Sequence, residues 1–238
     1  MNALDNLKVK IYADGADRDG MLEMYAKPYI QGFTTNPTLM KKAGITDYKA
    51  FAHEILQAIP DRPISFEVFA DEFIDMERQA LEIKTWGENV YVKIPVSNTR
   101  QEMAYDLIER LCGAGVHLNV TAILTLEQVQ NVADALKDGP DSIVSVFAGR
   151  IADTGLDPVP VMQEALTLLK VAPKAELLWA SPREVLNIYQ ADNIGCHIIT
   201  ATNDLIRKLA LGGKDLAEYS LETVQMFYDD AQSAGYTL

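Results

Sequence analysis

The amino-acid sequence predicts a single (β/α)8 barrel with an extra C-terminal helix, and three observations carry this prediction. Eight short apolar segments rich in β-branched residues recur along the 238 residues, with starts roughly 27 residues apart, which suits a strand followed by a crossover helix. Most of the segments between them have the apolar periodicity and cap residues of amphipathic helices. A hydrophobic fraction of 48% supplies a large core, and the length suits one barrel domain over residues 1–238.

The main alternative is an open, doubly wound parallel sheet. Neither G-x-G-x-x-G nor G-x-x-x-x-G-K-[ST] follows any predicted strand, which argues against a nucleotide-binding version of that sheet. The predicted strands are, in chain order, Lys8–Asp14, Ile30–Thr34, Ile64–Phe69, Val90–Val96, His117–Leu124, Ser142–Phe147, Glu176–Ser181 and Cys196–Thr200.

The helices are predicted from periodicity and end signals. The segment Asp47–Ile59 carries its apolar residues on a single face. Ser97–Leu111 begins with a serine cap and ends before a glycine, and Thr125–Leu136 begins with a threonine cap. A last, amphipathic helix lies within a C-terminal helical extension predicted over residues 203–238. The predicted helices are Asp47–Ile59, Ser97–Leu111, Thr125–Leu136, Pro158–Leu169 and Leu216–Ala234.

Charge and composition exclude several classes of protein. With 21 basic and 34 acidic residues the net charge is −13, and no basic stripe is present, so binding to nucleic acid or to an anionic membrane is not expected. No stretch approaches 18 consecutive apolar residues, and the first ten residues lack the apolar region of a signal peptide. A cytoplasmic protein is expected.

The cysteines and histidines do not predict a metal site. Cys112 and Cys196 are flanked by small and apolar residues and are expected to be reduced core thiols. His53, His117 and His197 have no ligand spacing, so no metal is expected.

Strand alternation identifies candidate functional residues. On the fourth strand the even-numbered positions are all valine or isoleucine, a face for packing under helices, so Lys93 points into the barrel. On the fifth strand Leu118, Val120 and Ala122 are expected to face the helices. A structural interior consists mainly of Val, Ile and Leu, so the predicted polar excess indicates chemistry at the C-terminal face. The other side chains predicted to point inward are Asp14, Ser65, Glu67, Asn119, Thr121, Ser145, Phe147 and Ser181.

Two interpretations of Lys93 are open at this point. Burial disfavours the charged form of a lysine, and a neutral amine can attack a carbonyl to form a Schiff base, which serves as an electron sink for cleavage of a C–C bond. Lys93 could instead be a structural ion-pair partner of Glu67 or Asp14. Lys10 lies near the start of its strand, towards the bottom face, where polar groups usually serve stability.

Five motifs follow in order along the chain, each at the end of a predicted strand. Through them the sequence resembles the transaldolase family, in particular its short members, which include transaldolases and fructose-6-phosphate aldolases. The resemblance covers nearly the whole chain and implies a (β/α)8 barrel. The motifs are GFTTNPTL at 32–39, VYVKIPV at 90–96, NVTAILT at 119–125, FAGRI at 147–151 and WASPR at 179–183.

The resemblance implies a role for each candidate. Lys93 would be the Schiff-base lysine, Glu67 and Thr121 would hold the water that shuttles protons, and Asp14 would be the general base for the C4 hydroxyl. No metal or organic cofactor is implied. The residues that would bind the substrate are Thr34, Asn36, Asn119 and Ser145 around the dihydroxyacetone fragment, Phe147 in the pocket, and Arg150, Ser181 and Arg183 at the phosphate.

The family divides by the fate of the enamine intermediate. Transaldolases transfer the three-carbon unit to an aldose phosphate, whereas the aldolases release dihydroxyacetone and typically carry Gln and Tyr where this sequence has Glu67 and Phe147. Phe147 has no polar group that could protonate the enamine, which favours transfer. Pro182, where the family usually has Phe, and the ADGAD sequence at the end of the first strand depart from the family pattern.

The expected reaction moves dihydroxyacetone from sedoheptulose 7-phosphate to glyceraldehyde 3-phosphate. A fructose-6-phosphate lyase and a non-catalytic phosphosugar-binding barrel are the alternatives. Short family members commonly assemble through the C-terminal helix, so the resemblance also implies a homo-oligomer, such as a pentamer or decamer.

Overall fold

The computed structural model describes residues 7–237; residues 1–6 and 238, the two ends of the predicted domain, lie outside the described part. Within it the chain forms a closed barrel of eight parallel strands, in which each strand pairs with the next in sequence and the last pairs with the first. The predicted (β/α)8 barrel is thereby confirmed. The strands are β1 Lys10–Asp14, β2 Ile30–Thr34, β3 Ile64–Glu67, β4 Val90–Pro95, β5 Leu118–Ile123, β6 Ser142–Val146, β7 Ala175–Trp179 and β8 Ile198–Thr202.

Helices surround the barrel. They are α1 Arg18–Tyr25, α2 Pro37–Lys42, α3 Tyr48–Ala58, α4 Phe73–Lys84, α5 Tyr105–Gly113, α6 Leu126–Leu136, α7 Ala148–Asp153, α8 Pro158–Leu168, α9 Leu186–Asn193, α10 Asn203–Arg207 and α11 Leu216–Ala234. The predicted threonine cap is present as a capping box, in which Thr125 and Gln128 satisfy each other's backbone N–H groups. None of the helices in the described part combines the length and the apolar character needed to cross a bilayer.

The prediction of a helix from Ser97 is wrong at its start, because α5 begins only at Tyr105. Asn98, which is buried, accepts hydrogen bonds from the backbone N–H groups of Arg100 and Glu102, and this local turn competes with a helix. The Arg100 guanidinium then pairs with Glu72 at 2.7 Å, so the segment is held as a loop against the β3–α4 connection.

Two strand ends also differ from the expected alternation. Ala122 has a positive φ of 62° and is exposed instead of facing the helices, because the pairing of β5 with β6 shifts register after Val120. Such a bulge redirects neighbouring side chains. β7 ends at Trp179, so strand alternation does not orient Ser181, which lies in the following loop with φ 60°.

The apolar core lies mainly between the barrel and the helices, where Val92, Ile94 and Val120 on the outward faces are fully buried. Inside the barrel a smaller apolar cluster contains Tyr12, Ile143, Leu178, Ala180 and Ile198, joined by Tyr91 and Phe147. A Cβ on Gly32 would lie 2.4 Å from the Tyr12 ring, so glycine makes room for it.

Lys10 pairs with Glu176 at 2.7 Å near the first positions of β1 and β7. This ion pair lies in the N-terminal part of the barrel, whereas the apolar cluster reaches Phe147 and Ala180 just beyond the C-terminal ends of β6 and β7.

The C-terminal elements differ in burial. α10 and the short 3-10 turn Lys208–Leu211 bury Leu205, Ile206 and Leu209 in the core. The 19-residue helix α11, which matches the predicted bounds, has no buried residue. Its exposed side chains include Leu221, Val224 and Phe227.

Candidate active site

Polar side chains from neighbouring strands meet in the C-terminal half of the barrel. The strand register aligns Glu67 with Lys93 and Lys93 with Asn119. On the other side, Asp14 is aligned with Thr34. The closed barrel therefore brings residues that are far apart in sequence into one ring, because consecutive parallel strands are hydrogen-bonded neighbours.

Lys93 lies between Glu67 and Asn119 in this ring and is 7% exposed. Its Nζ is 3.2 Å from Oε2 of Glu67 and donates to the backbone carbonyl of Thr35 at 3.1 Å. The ammonium thus has a carboxylate beside it that can accept a proton. The sequence did not identify the Thr35 carbonyl, because a backbone acceptor leaves no signal in side-chain type.

Asp14 ends β1 and accepts a hydrogen bond from Oγ1 of Thr34 at 2.8 Å. Burial raises the pKa of the Asp14 carboxyl, while the nearby Lys93 ammonium and the Thr34 hydroxyl oppose that rise. A carboxylate with a raised pKa is a stronger base than an exposed one.

Thr200 on β8 extends this contact and is not among the candidates predicted from the sequence. Its Oγ1 lies 2.5 Å from Oγ1 of Thr34. Since an ionised Asp14 can only accept, Thr34 donates to Asp14 and must itself accept from Thr200. Strand alternation predicts the inward orientation of Thr200, because it lies two residues after the inward-facing Ile198 on β8.

Asn119 connects the opposite side of the ring. Its Nδ2 donates to Oγ of Ser65 at 2.9 Å, and its Oδ1 accepts from Oγ of Ser145 at 2.6 Å. All three side chains are buried. The predicted inward orientation of Ser65, Asn119 and Ser145 is confirmed by this chain of contacts.

Thr121 is buried, and its Oγ1 has no hydrogen-bond partner within residues 7–237. A buried hydroxyl of this kind requires a partner, such as water or substrate. Asn36 follows β2 and uses Oδ1 to cap α2 through the N–H of Leu39, so its position is fixed.

A second group of candidates lies just after β6, where α7 begins, and in the loop after β7. The Arg150 guanidinium stacks over the Phe147 ring at 5.2 Å, and Phe147 packs against the interior cluster, which connects this group to the barrel. Arg183 forms an ion pair with Asp153. The backbone of Ser181 packs against Gly149 in α7. A Cβ atom placed on Gly149 would lie 1.5 Å from the carbonyl oxygen of Ser181.

Within residues 7–237 no group of three or more His, Cys, Asp or Glu side chains is arranged to hold a metal ion. The arrangement has instead one amine, two carboxylates and several hydroxyl and amide groups, which suits covalent attack on a carbonyl with acid and base assistance.

Comparison with proteins of similar sequence identifies the family of this chain. Residues 11–238 match the family model described as transaldolase/fructose-6-phosphate aldolase. A probable transaldolase from Dehalococcoides mccartyi is 30% identical over 202 residues, which cover 84% of this chain and 90% of that relative. A probable transaldolase from Methanococcus maripaludis strain C7 is 33% identical, with coverage of 84% and 89%.

Solved structures of similar shape support the fold alone, because their sequence identity is low. A putative phosphonomutase from Burkholderia cenocepacia aligns with a TM-score of 0.57 at 12% identity, covering 96% of this chain and 97% of that one. A 3-keto-L-gulonate-6-phosphate decarboxylase from Vibrio cholerae aligns with a TM-score of 0.53 at 12% identity, with coverage of 86% and 97%. From the family match over nearly its whole length, the chain belongs to the transaldolase/fructose-6-phosphate aldolase family.

Proposed function

We propose that this protein is a transaldolase that moves a dihydroxyacetone unit from a ketose phosphate to an aldose phosphate through a Schiff base on Lys93. The observation that carries the proposal is the buried Lys93 amine, which has Glu67 3.2 Å away inside the polar end of the barrel. A lysine needed only for stability would be expected nearer the bottom face, as Lys10 is.

The reaction begins when the neutral Lys93 amine adds to the C2 carbonyl of the ketose, after its proton has passed to a neighbouring base. Glu67 is the nearest carboxylate, and Thr121 has an unpartnered hydroxyl suited to hold a water molecule. Loss of water from the carbinolamine forms the protonated imine. These two residues are therefore assigned to the proton transfers of imine formation.

Asp14 is assigned to the cleavage step. It accepts the proton of the C4 hydroxyl while the C3–C4 bond breaks, the aldose leaves, and the electron pair moves into the imine to form an enamine. Burial raises the pKa of Asp14, which makes it a suitable base, and Thr34 orients it by a 2.8 Å hydrogen bond. The enamine then adds to the acceptor aldehyde by the reverse of these steps.

Substrate binding is divided between the two groups of residues. Asn36, Asn119 and Ser145 are assigned to the hydroxyl groups and carbonyl of the three-carbon fragment, with Thr34 supporting them. Arg150, Ser181 and Arg183 are assigned to the phosphate, because a guanidinium offers paired donors to phosphate oxygens. Arg150 on α7 and Arg183 in the loop after β7 follow the C-terminal ends of their strands, the end of such barrels at which active sites are built.

Turnover is expected to depend on an acceptor aldose. Phe147 packs against the interior cluster and its ring offers no proton donor, so the enamine persists until an aldehyde arrives. With fructose 6-phosphate alone we expect little free dihydroxyacetone. Addition of erythrose 4-phosphate should yield sedoheptulose 7-phosphate and glyceraldehyde 3-phosphate, measured by a coupled assay for the triose phosphate.

The matched variant is Phe147→Tyr, which adds a hydroxyl to the same ring. It should increase release of dihydroxyacetone relative to transfer. If the unaltered enzyme releases dihydroxyacetone equally fast with and without acceptor, it is a fructose-6-phosphate lyase and the transferase assignment is wrong. If neither reaction occurs, the protein is a phosphosugar-binding barrel.

We also propose that the protein acts in the cytoplasm as a homo-oligomer assembled through α11. The exposed fractions of Leu221, Val224 and Phe227 on this helix are 69%, 61% and 63%, an apolar surface of the kind that marks an interface. Sedimentation velocity should give a mass that is a multiple of 26.3 kDa, as a pentamer or decamer would. Phe227→Asp should shift the protein to smaller species.

Gln225→Glu is the control for this experiment, because it adds the same charge to α11 without removing apolar surface. It should leave the assembly intact. A wild-type mass of one chain, or an assembly insensitive to Phe227→Asp, would contradict the proposed interface.

A further inference from the structure

Asp153 is an acidic residue inside the basic group that follows β6 and β7. Its Oδ1 accepts from Nε of Arg183 at 3.0 Å, and its Oδ2 accepts from the second nitrogen of the same guanidinium. Both side chains are about half exposed. The carboxylate therefore occupies the two-donor edge of Arg183 that a phosphate would use.

The positions of these side chains are set by the fold. The carboxamide oxygen of Asn187 accepts from the backbone N–H of Arg183 at 2.7 Å. Gly149 packs directly on the carbonyl of Ser181, which ties the loop after β7 to the start of α7. Arg150 and Asp153 lie three residues apart on α7 and share one face of that helix.

Arg150 differs from Arg183 in its contacts. It stacks on Phe147 and forms no ion pair with a carboxylate within residues 7–237. Arg183 and, less strongly, Arg150 lower the pKa of the Asp153 carboxyl, which keeps it ionised at neutral pH. The group therefore contains two cations and one fixed anion.

A phosphate that enters this group meets two unfavourable effects. It must compete with Asp153 for the paired donors of Arg183, and it is repelled by the Asp153 charge. An uncharged substrate meets neither effect. The preference of this group for phosphate therefore depends on the Asp153 carboxylate as well as on the two arginines.

We propose that Asp153 is an internal counter-ion of the phosphate site, which weakens phosphate binding and thereby limits the preference of the enzyme for phosphorylated over unphosphorylated substrates. This inference rests on the assignment of Arg150 and Arg183 to the phosphate in the proposed function. Asp153 acts through Arg183 and sets specificity; it takes no part in bond breaking.

The test is a titration of the full-length wild-type protein and the Asp153→Asn variant with inorganic phosphate. Binding is followed by the rise in the thermal unfolding midpoint, with sodium chloride added to hold ionic strength constant. The phosphate dissociation constant of Asp153→Asn should fall roughly three- to tenfold, the range expected for removing one neighbouring charge in a hydrated site. This readout does not require turnover.

Glu184→Gln is the matched control. Glu184 is exposed, adjoins Arg183 in sequence and forms no ion pair in the described part of the chain, so its loss changes net charge equally without freeing the guanidinium. It should change the phosphate dissociation constant by less than about twofold. In an Arg183→Gln background, Asp153→Asn should have a clearly smaller effect than in the wild type.

The kinetic counterpart is the ratio of the KM for glyceraldehyde to the KM for glyceraldehyde 3-phosphate. Asp153→Asn should raise this ratio roughly three- to tenfold. An unchanged or weaker phosphate affinity in Asp153→Asn would overturn the proposal, as would an equal gain in Glu184→Gln. Tighter phosphate binding in a protein without transaldolase activity would uphold the counter-ion and reject the proposed function.

Discussion

Replacing Lys93 is expected to abolish both turnover and covalent trapping of a ketose phosphate. Incubation of the wild-type protein with fructose 6-phosphate and borohydride should leave a reduced three-carbon adduct on Lys93, identified by peptide mass spectrometry. Lys93→Ala should form no adduct and lose activity by at least about a thousandfold, because it removes the amine to which the Schiff base is assigned.

Two controls separate the chemistry from stability. Lys93→Ala leaves the Glu67 carboxylate without its cation inside the barrel, which can destabilise the fold. Lys93→Arg keeps a cation beside Glu67 and cannot form an imine, so it should be folded by circular dichroism and equally inactive. Lys10, the other inward-facing lysine, should carry no adduct in the wild type. An adduct elsewhere, or one that persists in Lys93→Arg, would refute the Schiff-base assignment.

Asp14→Asn is expected to lower kcat by about 10²–10⁴-fold, the usual contribution of a general base. Because the base must be ionised, wild-type activity should also fall as the pH drops through the Asp14 pKa, which burial holds above the ordinary carboxyl range. The measurement is kcat against pH for cleavage of the ketose phosphate. A full rate in Asp14→Asn would show that another group takes the C4 proton.

The same substitution should stabilise the protein at neutral pH. The folded-state pKa of Asp14 is raised above its unfolded value, so its contribution to stability is present below the unfolded pKa and is lost as the pH rises through the folded pKa. Asn cannot ionise and avoids this loss. The unfolding midpoint of Asp14→Asn should exceed that of the wild type at pH 7, and the difference should shrink in acid.

Asp17→Asn is the matched control for both effects. Asp17 lies three residues away, is exposed and caps α1 through the N–H of Gly20 at 2.7 Å. Asn is an equally good cap, so this variant makes the same charge change without entering the barrel. Activity and stability should remain close to wild type. A loss of activity in Asp17→Asn equal to that in Asp14→Asn would mean that the effect is not specific to the carboxylate at the end of β1.

Secondary structure was predictable where a local pattern and the global fold agree. The bounds of α11 and the capping box at Thr125 follow from periodicity and short-range hydrogen bonds that a sequence displays directly. The predicted start of a helix just after β4 is wrong, because the buried Asn98 side chain satisfies backbone donors in a turn and Glu72 holds the Arg100 side chain. The Asn98 turn is local but competes with the helix pattern, and the Arg100–Glu72 contact is long-range and has no local signature.

The site was predictable to the extent that it follows strand parity. Lys93, Glu67 and Asn119 point inward because side chains alternate along a strand, and an apolar opposite face reveals which parity is outside. At strand ends the alternation of side chains no longer predicts which way a residue points. Ala122 departs from it through a bulge, and Ser181 is oriented by a loop with left-handed backbone geometry.

The sequence by itself determined the strands, most of the helices and the inward position of the lysine, because these depend on periodicities of two and about 3.6 residues within single segments. The number of strand–helix units then predicted the barrel. Only the tertiary structure decided which polar groups touch. It joined Thr200 to Thr34, the Thr35 carbonyl to Lys93, and Asp153 to Arg183. These contacts depend on barrel closure, strand register and loop conformation, which the whole chain sets together and which no single segment encodes.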